Sequence, residues 1–491
     1  MTASLDGSVG RAADEIELPT VDGGVWDLLV IGGGTAGLVG ARTAALLGAS
    51  VLMVERDRAG GDCLWTGCVP SKALLAAATA AADTRATGRL GVHVDGVRVD
   101  FAAVMAHVHA AIARIEPDDS PESLRSAGVA VAFGQARFTG TDTAEVAGRP
   151  VRFRQALVAT GSNPLVPPIP GLRESNPLTS DTVWDLTELP ERLVVLGGGS
   201  IGCELGPAFT RLGSTVTVVE AAARLLTNEE ADAARTVHQA ITTDGATVLT
   251  GEPVTAVEGS EVVLEGGRRI TADAILVAVG RRPDTTDLDL EAAGVRTTDR
   301  GFVGVDDHLR TTNPRIWGAG DVTGHPQFTH VAGVHGSTAA TNAVLGLRRT
   351  ADVTAVPRVT YTSPEVAAVG ASAEGPEHTS YVVAHDEVDR AVVENKTVGF
   401  TRLVLDRRGR LVGATVVGPR AGETLAELTL AVRKGLKPSD IAATMHPYPT
   451  WGDGPWNASI TEVRARLQAP TARRAVRALA AVRRRWLDLR R

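Results

Sequence analysis

Thiols are scarce in this 491-residue chain, which has three cysteines. So few exclude a disulfide framework and reserve those present for catalysis, redox sensing or metal binding. A long hydrophobic run is also missing: the longest apolar stretch, Ala73 to Ala82, is too short and too alanine-rich to cross a bilayer. The opening segment, Met1 to Gly24, has neither the basic start nor the apolar core of a signal peptide, and reads as the flexible N-terminus (1–24) of a cytoplasmic protein. Positive charge is in deficit too. Lys and Arg total 50 against 57 Asp and Glu, a net of -7 that argues against general nucleic-acid binding. The 44% apolar content is ample for roughly two to four domains with buried cores.

Two of the three cysteines stand close together, in Gly60-Gly61-Asp62-Cys63-Leu64-Trp65-Thr66-Gly67-Cys68-Val69-Pro70-Ser71-Lys72. Their spacing suits a two-electron dithiol/disulfide couple if the backbone cooperates. On an ideal helix the two side chains would point about 140° apart. Gly67 and Pro70 are the residues expected where a first helical turn is distorted. Half a zinc site is the competing reading, but the nearest histidine is His93 and no second cysteine cluster exists, so redox chemistry is favoured over metal. Cys203, alone, reads as a small core residue.

The chain repeats itself. Trp26-Asp27-Leu28-Leu29-Val30-Ile31-Gly32-Gly33-Gly34-Thr35-Ala36-Gly37 leads to Val51-Leu52-Met53-Val54-Glu55, and Leu193-Val194-Val195-Leu196-Gly197-Gly198-Gly199-Ser200-Ile201-Gly202 leads to Thr217-Val218-Val219-Glu220. Each copy has an apolar strand, G-x-G-x-x-G, a helical segment, a second strand and a closing glutamate. Gly32 and Gly197 allow the tight turn, Gly34 and Gly199 let backbone amides approach a pyrophosphate, and Gly37 and Gly202 permit close helix–strand packing. The helix N-terminus then faces the anion. Glu55 and Glu220 are placed to accept from ribose hydroxyls. A carboxylate would repel a 2′-phosphate, so Glu220 favours NADH over NADPH, while Arg224 keeps NADPH open. Two nucleotide sites and a cysteine pair suggest a relay from a hydride donor through a flavin to a disulfide.

The C-terminal stretch 460–491 breaks the acidic trend. Ten arginines against Glu462 and Asp488 give a net of +8, leaving -15 on the rest. Val476, Leu479, Val482, Trp486 and Leu489 recur at helical spacing, so the tail reads as a basic amphipathic helix. It either meets an anionic membrane surface or partner, or docks on its own acidic body.

Over residues 25 to 458 the chain resembles the class I pyridine nucleotide-disulfide oxidoreductases, which include dihydrolipoyl dehydrogenase, glutathione reductase and mercuric reductase. The resemblance rests on the cysteine run and on Ala159-Thr160-Gly161, Ala278-Val279-Gly280-Arg281-Arg282-Pro283, Gly318-Ala319-Gly320-Asp321-Val322 and Tyr361-Thr362-Ser363-Pro364-Glu365-Val366-Ala367. It implies an α/β fold with two Rossmann-like domains: an FAD-binding domain over 25–160 and 281–350, and an NAD(P)-binding domain over 161–280. An α+β dimerisation domain over 351–459 would follow, making a homodimer with an active site shared across subunits. The resemblance further implies that Cys68 is the thiolate that contacts the flavin and Cys63 the interchange thiol that meets substrate. Lys72 and Glu204 match an ion pair beside the reactive flavin nitrogen. Asp321 matches the aspartate on the ribityl chain, Thr329 lies near the ring's polar edge, and Gly134 and Ala136 match positions near the adenine. Thr160, Gly161 and Gly280 fall in the nucleotide-binding motifs.

One motif departs from the family. Disulfide-reducing members carry a His-Pro-Thr motif with a following glutamate, whose histidine is the acid-base partner of the interchange thiol. Here Met445-His446-Pro447-Tyr448-Pro449-Thr450-Trp451-Gly452-Asp453 puts Tyr448 at the base position, Asp453 at the glutamate and His446 two residues upstream. A phenol is a poor base at neutral pH. Tyrosine here resembles mercuric reductases, yet their C-terminal cysteine pair has no counterpart after Cys203. Trp65, Trp451 and Trp456 are expected around the cysteines and the interface segment. The resulting expectation is an FAD-dependent NAD(P)H oxidoreductase passing electrons through a Cys63–Cys68 disulfide to a thiol/disulfide-type acceptor. Hg(II), a quinone, or a docking role within a complex are the alternatives.

Overall fold

The computed structural model describes residues 18–373, 375 and 377–490. Residues 1–17 of the expected flexible N-terminus lie outside the described residues. β1 (Val25–Ile31), α1 (Thr35–Leu46) and β2 (Val51–Glu55) form a βαβ unit. Leu28 to Ile31 are all buried, because a parallel strand between helices must be apolar on both faces. Each such side chain contributes about 1.5–3 kcal/mol. β1 pairs in parallel with β2 and with Arg149–Val158, and Val129–Phe133 extends the sheet beyond β2. Ile316–Gly318 returns from far along the chain to pair with Arg149–Val158.

The second unit repeats this plan with Arg192–Leu196, Ser200–Leu212 and Thr215–Glu220, in a parallel sheet completed by Thr247–Thr250 and Ala274–Val277. A three-stranded antiparallel sheet spans Val254 to Thr271. Between the two units lies a short antiparallel ribbon, Ser162–Pro164 against Arg281–Pro283. The chain therefore crosses out and back at adjacent points, which brings the two glycine loops to one cleft.

A five-stranded antiparallel sheet, Pro357 to Gly418, carries the helices Ala421–Lys434 and Asp453–Gln468. Leu403, Val404 and Leu405 are all buried, so this strand is covered on both faces rather than alternating in and out. Small residues set another contact that matters for the site. A Cβ on Gly336 would meet the Ala36 carbonyl oxygen at 2.2 Å, so α1 and the Thr329–Leu345 helix lie almost backbone to backbone. That crossing fixes Thr329 at the helix start over the cleft.

The tail forms a 19-residue helix, Pro470–Asp488, that buries no residue. Docking on the chain's own acidic body, one of the two sequence readings, is not what the structure shows. Among the described residues no helix is long and apolar enough to cross a membrane.

Candidate active site

α2 (Gly61–Trp65) stops before the second cysteine, and α3 (Cys68–Arg85) starts on it. The expected distortion is a full break at Thr66 and Gly67. Gly67 takes φ -115°, ψ -109°, and a Cβ there would meet the Asp62 carbonyl oxygen at 2.7 Å. The break turns Cys63 and Cys68 toward each other. Both are free thiols whose side chains are hydrogen-bonded together. The Cys63 hydrogen bond, Thr329 and the nearby Lys72 ammonium bring Cys68 down to about 6, with burial opposing them. Its place at the first turn of an 18-residue helix works in the same direction. Cys63 is pushed far above the ordinary thiol range by that same hydrogen bond and by burial. The pair is thus polarised, one sulfur ready to ionise and the other held protonated.

Lys72, one turn along α3 from Cys68, places Nζ 2.8 Å from Glu204 Oε2. Glu204 comes from the second glycine-rich helix and is buried; its other oxygen accepts the Tyr361 amide at 3.0 Å. The Tyr361 ring lies under the Lys72 ammonium, 4.3 Å from its centroid. The ion pair is fully partnered, which is what burial of charge requires.

The two glycine loops are near copies in space. Gly32 and Gly197 take φ +106° and +112°, and a Cβ on either would meet a carbonyl oxygen 2.4 Å away. Gly37 and Gly202 sit so close to the loop that a Cβ would fall 1.8 Å and 2.0 Å from the carbonyl oxygens of Gly32 and Gly197. Glu55 and Glu220 each accept the middle glycine's N–H at 2.6 Å, from Gly33 and Gly198. Arg224 is spent on the carbonyl oxygens of Leu226, Thr227 and Glu229, at 2.7, 2.9 and 2.8 Å.

These groups line one open cleft of about 1720 Å3, shared by both glycine loops, both cysteines, Lys72, Glu204, Asp321 and Thr329. Gly161 and Gly280, at φ +74° and +142°, belong to the same wall and have nothing near a would-be Cβ. Asp321 accepts from Ser162 Oγ at 2.9 Å and is raised by burial. Gly134, Ala136, Glu55 and Thr160 gather around a small neighbouring pocket of about 60 Å3. The arrangement fits a dinucleotide. α1 has no side-chain N-cap, its glycine turn leaves the cradle open beside Gly34, and a Cβ on Gly199 would touch nothing within 4 Å. Gly32, Gly34, Glu55, Gly134 and Asp321 would hold FAD, which when bound supplies the two-electron link between a nicotinamide and a thiol pair.

Two contacts at the site have no signature in the sequence. Arg281 reaches from the crossover ribbon to pair with Asp62, the residue before Cys63, while also donating to Ser162 Oγ (2.8 Å) and Ser180 Oγ (3.2 Å). Burial raises Asp62 to about 6 despite Arg281, with Asp181, Asp321 and Asp284 adding to the rise. Trp184 Nε1 donates to the Thr66 carbonyl at 2.8 Å, fastening the break between α2 and α3. Only the family motif containing Arg281 drew attention to it, without its partner.

The C-terminal candidates lie apart. Tyr448 donates to Asp389 at 2.6 Å, which raises its pKa. His446 pairs with Glu427 at 3.0 Å and with the Thr444 carbonyl at 2.9 Å, so it is not aimed at either cysteine. Asp453 accepts the Thr450 amide at 3.1 Å. None of the three lines the cleft of its own chain. Trp65 does, under Arg58 and tied to the Ala59 carbonyl at 2.8 Å. Trp451 does not: it is buried in the C-terminal core against His385, because the sheet there needs a large apolar filler.

A polarised cysteine pair facing two dinucleotide cradles defines a flavin-linked dithiol oxidoreductase. The chain belongs to the pyridine nucleotide-disulphide oxidoreductase family: residues 26–336 match the family's main model and 356–459 its dimerisation domain. It is an NAD(P)H- and FAD-dependent enzyme acting on sulfur groups. It is 38% identical to a mercuric reductase of Streptomyces lividans, over 87% of this chain and 94% of that one. It is 35% identical to a dihydrolipoyl dehydrogenase of Geobacillus stearothermophilus, with the same two coverages. Among solved structures it resembles LpdA from Mycobacterium tuberculosis, with a TM-score of 0.81 and 28% identity over 89% of this chain and 99% of that one.

Proposed function

We propose that this enzyme takes two electrons from NADH, by way of FAD, and stores them on Cys63 and Cys68 for delivery to a thiol/disulfide-type acceptor. The observation that carries this is the polarised cysteine pair in one cleft with both glycine loops. In this reading Cys68 is the flavin-side thiolate and Cys63 the thiol that exchanges with the acceptor. Lys72 and Glu204 hold a fixed ion pair beside them. The overall reaction with a disulfide RSSR is NADH + H+ + RSSR giving NAD+ and two RSH. In it, Cys63 attacks the acceptor, one RSH leaves, and Cys68 then displaces the second as the Cys63–Cys68 bond re-forms. NADH is favoured over NADPH because Glu220 stands at the ribose end of its loop and Arg224 is occupied by carbonyl oxygens.

A second acceptor, Hg(II), is supported by a specific observation. In the family motif Tyr448 aligns with the usual base, and its hydroxyl donates to Asp389, so Hg(II), whose reduction takes up no proton, is an acceptor that does not call on that base. The balance is then NADH + Hg(II) giving NAD+, H+ and Hg(0). Turnover of purified holoenzyme with lipoamide, with Hg(II) in excess thiol, and with a soluble quinone separates these. Disulfide turnover above the other two supports the first reading. Quinone turnover that persists in a Cys63→Ser, Cys68→Ser variant overturns any role for the pair.

A further inference from the structure

The C-terminal helix, Pro470–Asp488, buries no residue and lines no part of the redox cleft. At about 100° per residue, Val476, Leu479, Val482 and Trp486 fall within an arc of about 120°. All four are exposed, at 48, 70, 67 and 39%. Arg473, Arg474, Arg477, Arg484 and Arg485 occupy the opposite arc, so the apolar and cationic faces are back to back. The helix holds six arginines and one acid, Asp488, a net of 6 − 1 = +5. Arg483 alone falls within the apolar arc, and its guanidinium lies over the Trp486 ring, 4.1 Å from the centroid; Arg490 lies over the same ring at 3.9 Å. That indole, apolar in body and ringed by cations, has the character of a side chain suited to a bilayer's headgroup level.

Charge decides among the occupants of this face. A second copy seated on the apolar face would cover the stripe but leave the arginine arcs, which point away from it, without anionic partners. The chain's own surface, at -15 over residues 1–459, is attractive to it, yet the helix buries no residue there. A surface that offers both negative charge and an apolar interior satisfies both faces at once. We infer that Pro470–Asp488 is a peripheral anchor that lays its Val476–Leu479–Val482–Trp486 face into an anionic phospholipid bilayer. The anchor would hold the redox centre beside a membrane without spanning it.

The test is co-sedimentation of the full-length holoenzyme with vesicles of phosphatidylglycerol and phosphatidylcholine, against vesicles of phosphatidylcholine alone. Binding to the anionic vesicles is expected, weaker by about tenfold or more on neutral ones, and falling steeply with salt as the ~10 Å screening length at ~0.1 M shortens. Ending the chain after Ala469, and separately Leu479→Asp with Val482→Asp, is expected to abolish binding while NADH oxidation in solution is unchanged. Both aspartate sites are exposed, so folding is spared. Equal binding by the truncated chain overturns the anchor. So does retention on heparin or DNA without vesicle binding, which would make the tail a polyanion site. A halved mass of the truncated chain in sedimentation would instead make this face an interface between copies, and overturn it too.

Discussion

Thr329 holds its hydroxyl 3.2 Å from the sulfur of Cys68, across 261 positions of sequence. The contact exists because the close packing of α1 on the Thr329–Leu345 helix leaves that helix's first residue facing the start of α3. A hydroxyl donating to a thiolate stabilises the ionised form, and hydrogen bonds to charged groups are worth about 1.5–3 kcal/mol. Thr329→Val keeps the shape and removes the donor. The apparent pKa of Cys68, about 6 in the native protein, is expected to rise by roughly one unit. The pH midpoint of the long-wavelength thiolate–flavin absorbance in reduced holoenzyme reads this directly; an unmoved midpoint would remove Thr329 from the argument.

Lys72 and Glu204 act on the same sulfur with opposite signs. The ammonium of Lys72 lowers Cys68 and the carboxylate of Glu204 raises it. Lys72→Met is therefore expected to shift the midpoint upward, and Glu204→Gln downward, each by roughly half a unit or more. The sign difference is the useful part, since simple misfolding of the site would move both the same way. Thiolate is the form present above the midpoint, so at pH 6 the Glu204→Gln enzyme should hold more thiolate than native and the Lys72→Met enzyme less.

The site was legible in sequence where its geometry is local. Gly37 and Gly202 announce themselves because the close approach of each, to the carbonyl oxygen of Gly32 or Gly197, lies within five residues, whereas Gly32 and Gly197 meet the distant Ala159 and Ala278 carbonyls and are legible through the repeated motif. The cysteine run is legible for the same reason: Gly67 marks the backbone break that lets Cys63 and Cys68 meet. What could not be read is long-range and side-chain to side-chain. Arg281 and Asp62 are 219 positions apart, and nothing in either segment's pattern names the other. Trp184 fastening the Thr66 carbonyl, and Tyr361 lying under Lys72, are equally invisible, since an aromatic in a strand or loop reads first as packing. Trp451, expected around the cysteines and the interface segment, is found in the C-terminal core against His385.

Arg281 supplies a stability prediction. Its guanidinium serves Asp62, Ser162 and Ser180 together, and its side chain is mostly buried. Arg281→Met leaves the Asp62 carboxylate without its cation and two hydroxyls without a donor. Denaturant unfolding is expected to show a loss of about 2–3 kcal/mol, reduced from the value for a fully buried pair because Asp62 is half-exposed. Adding Asp62→Asn should recover part of that loss, since it removes the stranded charge. No recovery would mean that Arg281 acts through the serines alone.

Tyr448 tests whether the base is missing. Its hydroxyl donates to Asp389 and its pKa is raised, so it stays protonated at neutral pH and cannot accept the Cys63 proton. Tyr448→Phe is accordingly expected to leave disulfide turnover within about twofold, while Tyr448→His should raise it by about tenfold or more, the lower part of the range for a positioned acid-base group. The histidine variant's profile should also gain a new limb near the imidazole pKa of about 6.5. Steady-state lipoamide reduction between pH 5 and 9 measures both effects. A large loss in Tyr448→Phe would make the phenol itself a participant and overturn this reading.

The duplicated glycine loops allow the two nucleotide sites to be separated by matched substitutions. Gly37→Ala would put a methyl 1.8 Å from the Gly32 carbonyl oxygen, and Gly202→Ala one 2.0 Å from that of Gly197, both backbone atoms that cannot swing aside. Each loop must shift, at a cost of roughly 1–3 kcal/mol and with its anion cradle displaced. The first variant is expected to purify with much less FAD, read from its visible absorbance, and to regain activity only with added FAD. The second should keep its flavin but show a KM for NADH raised by about tenfold or more. Loss of flavin in both, or in neither, would mean that the two cradles are not divided between the two nucleotides as the repeat suggests.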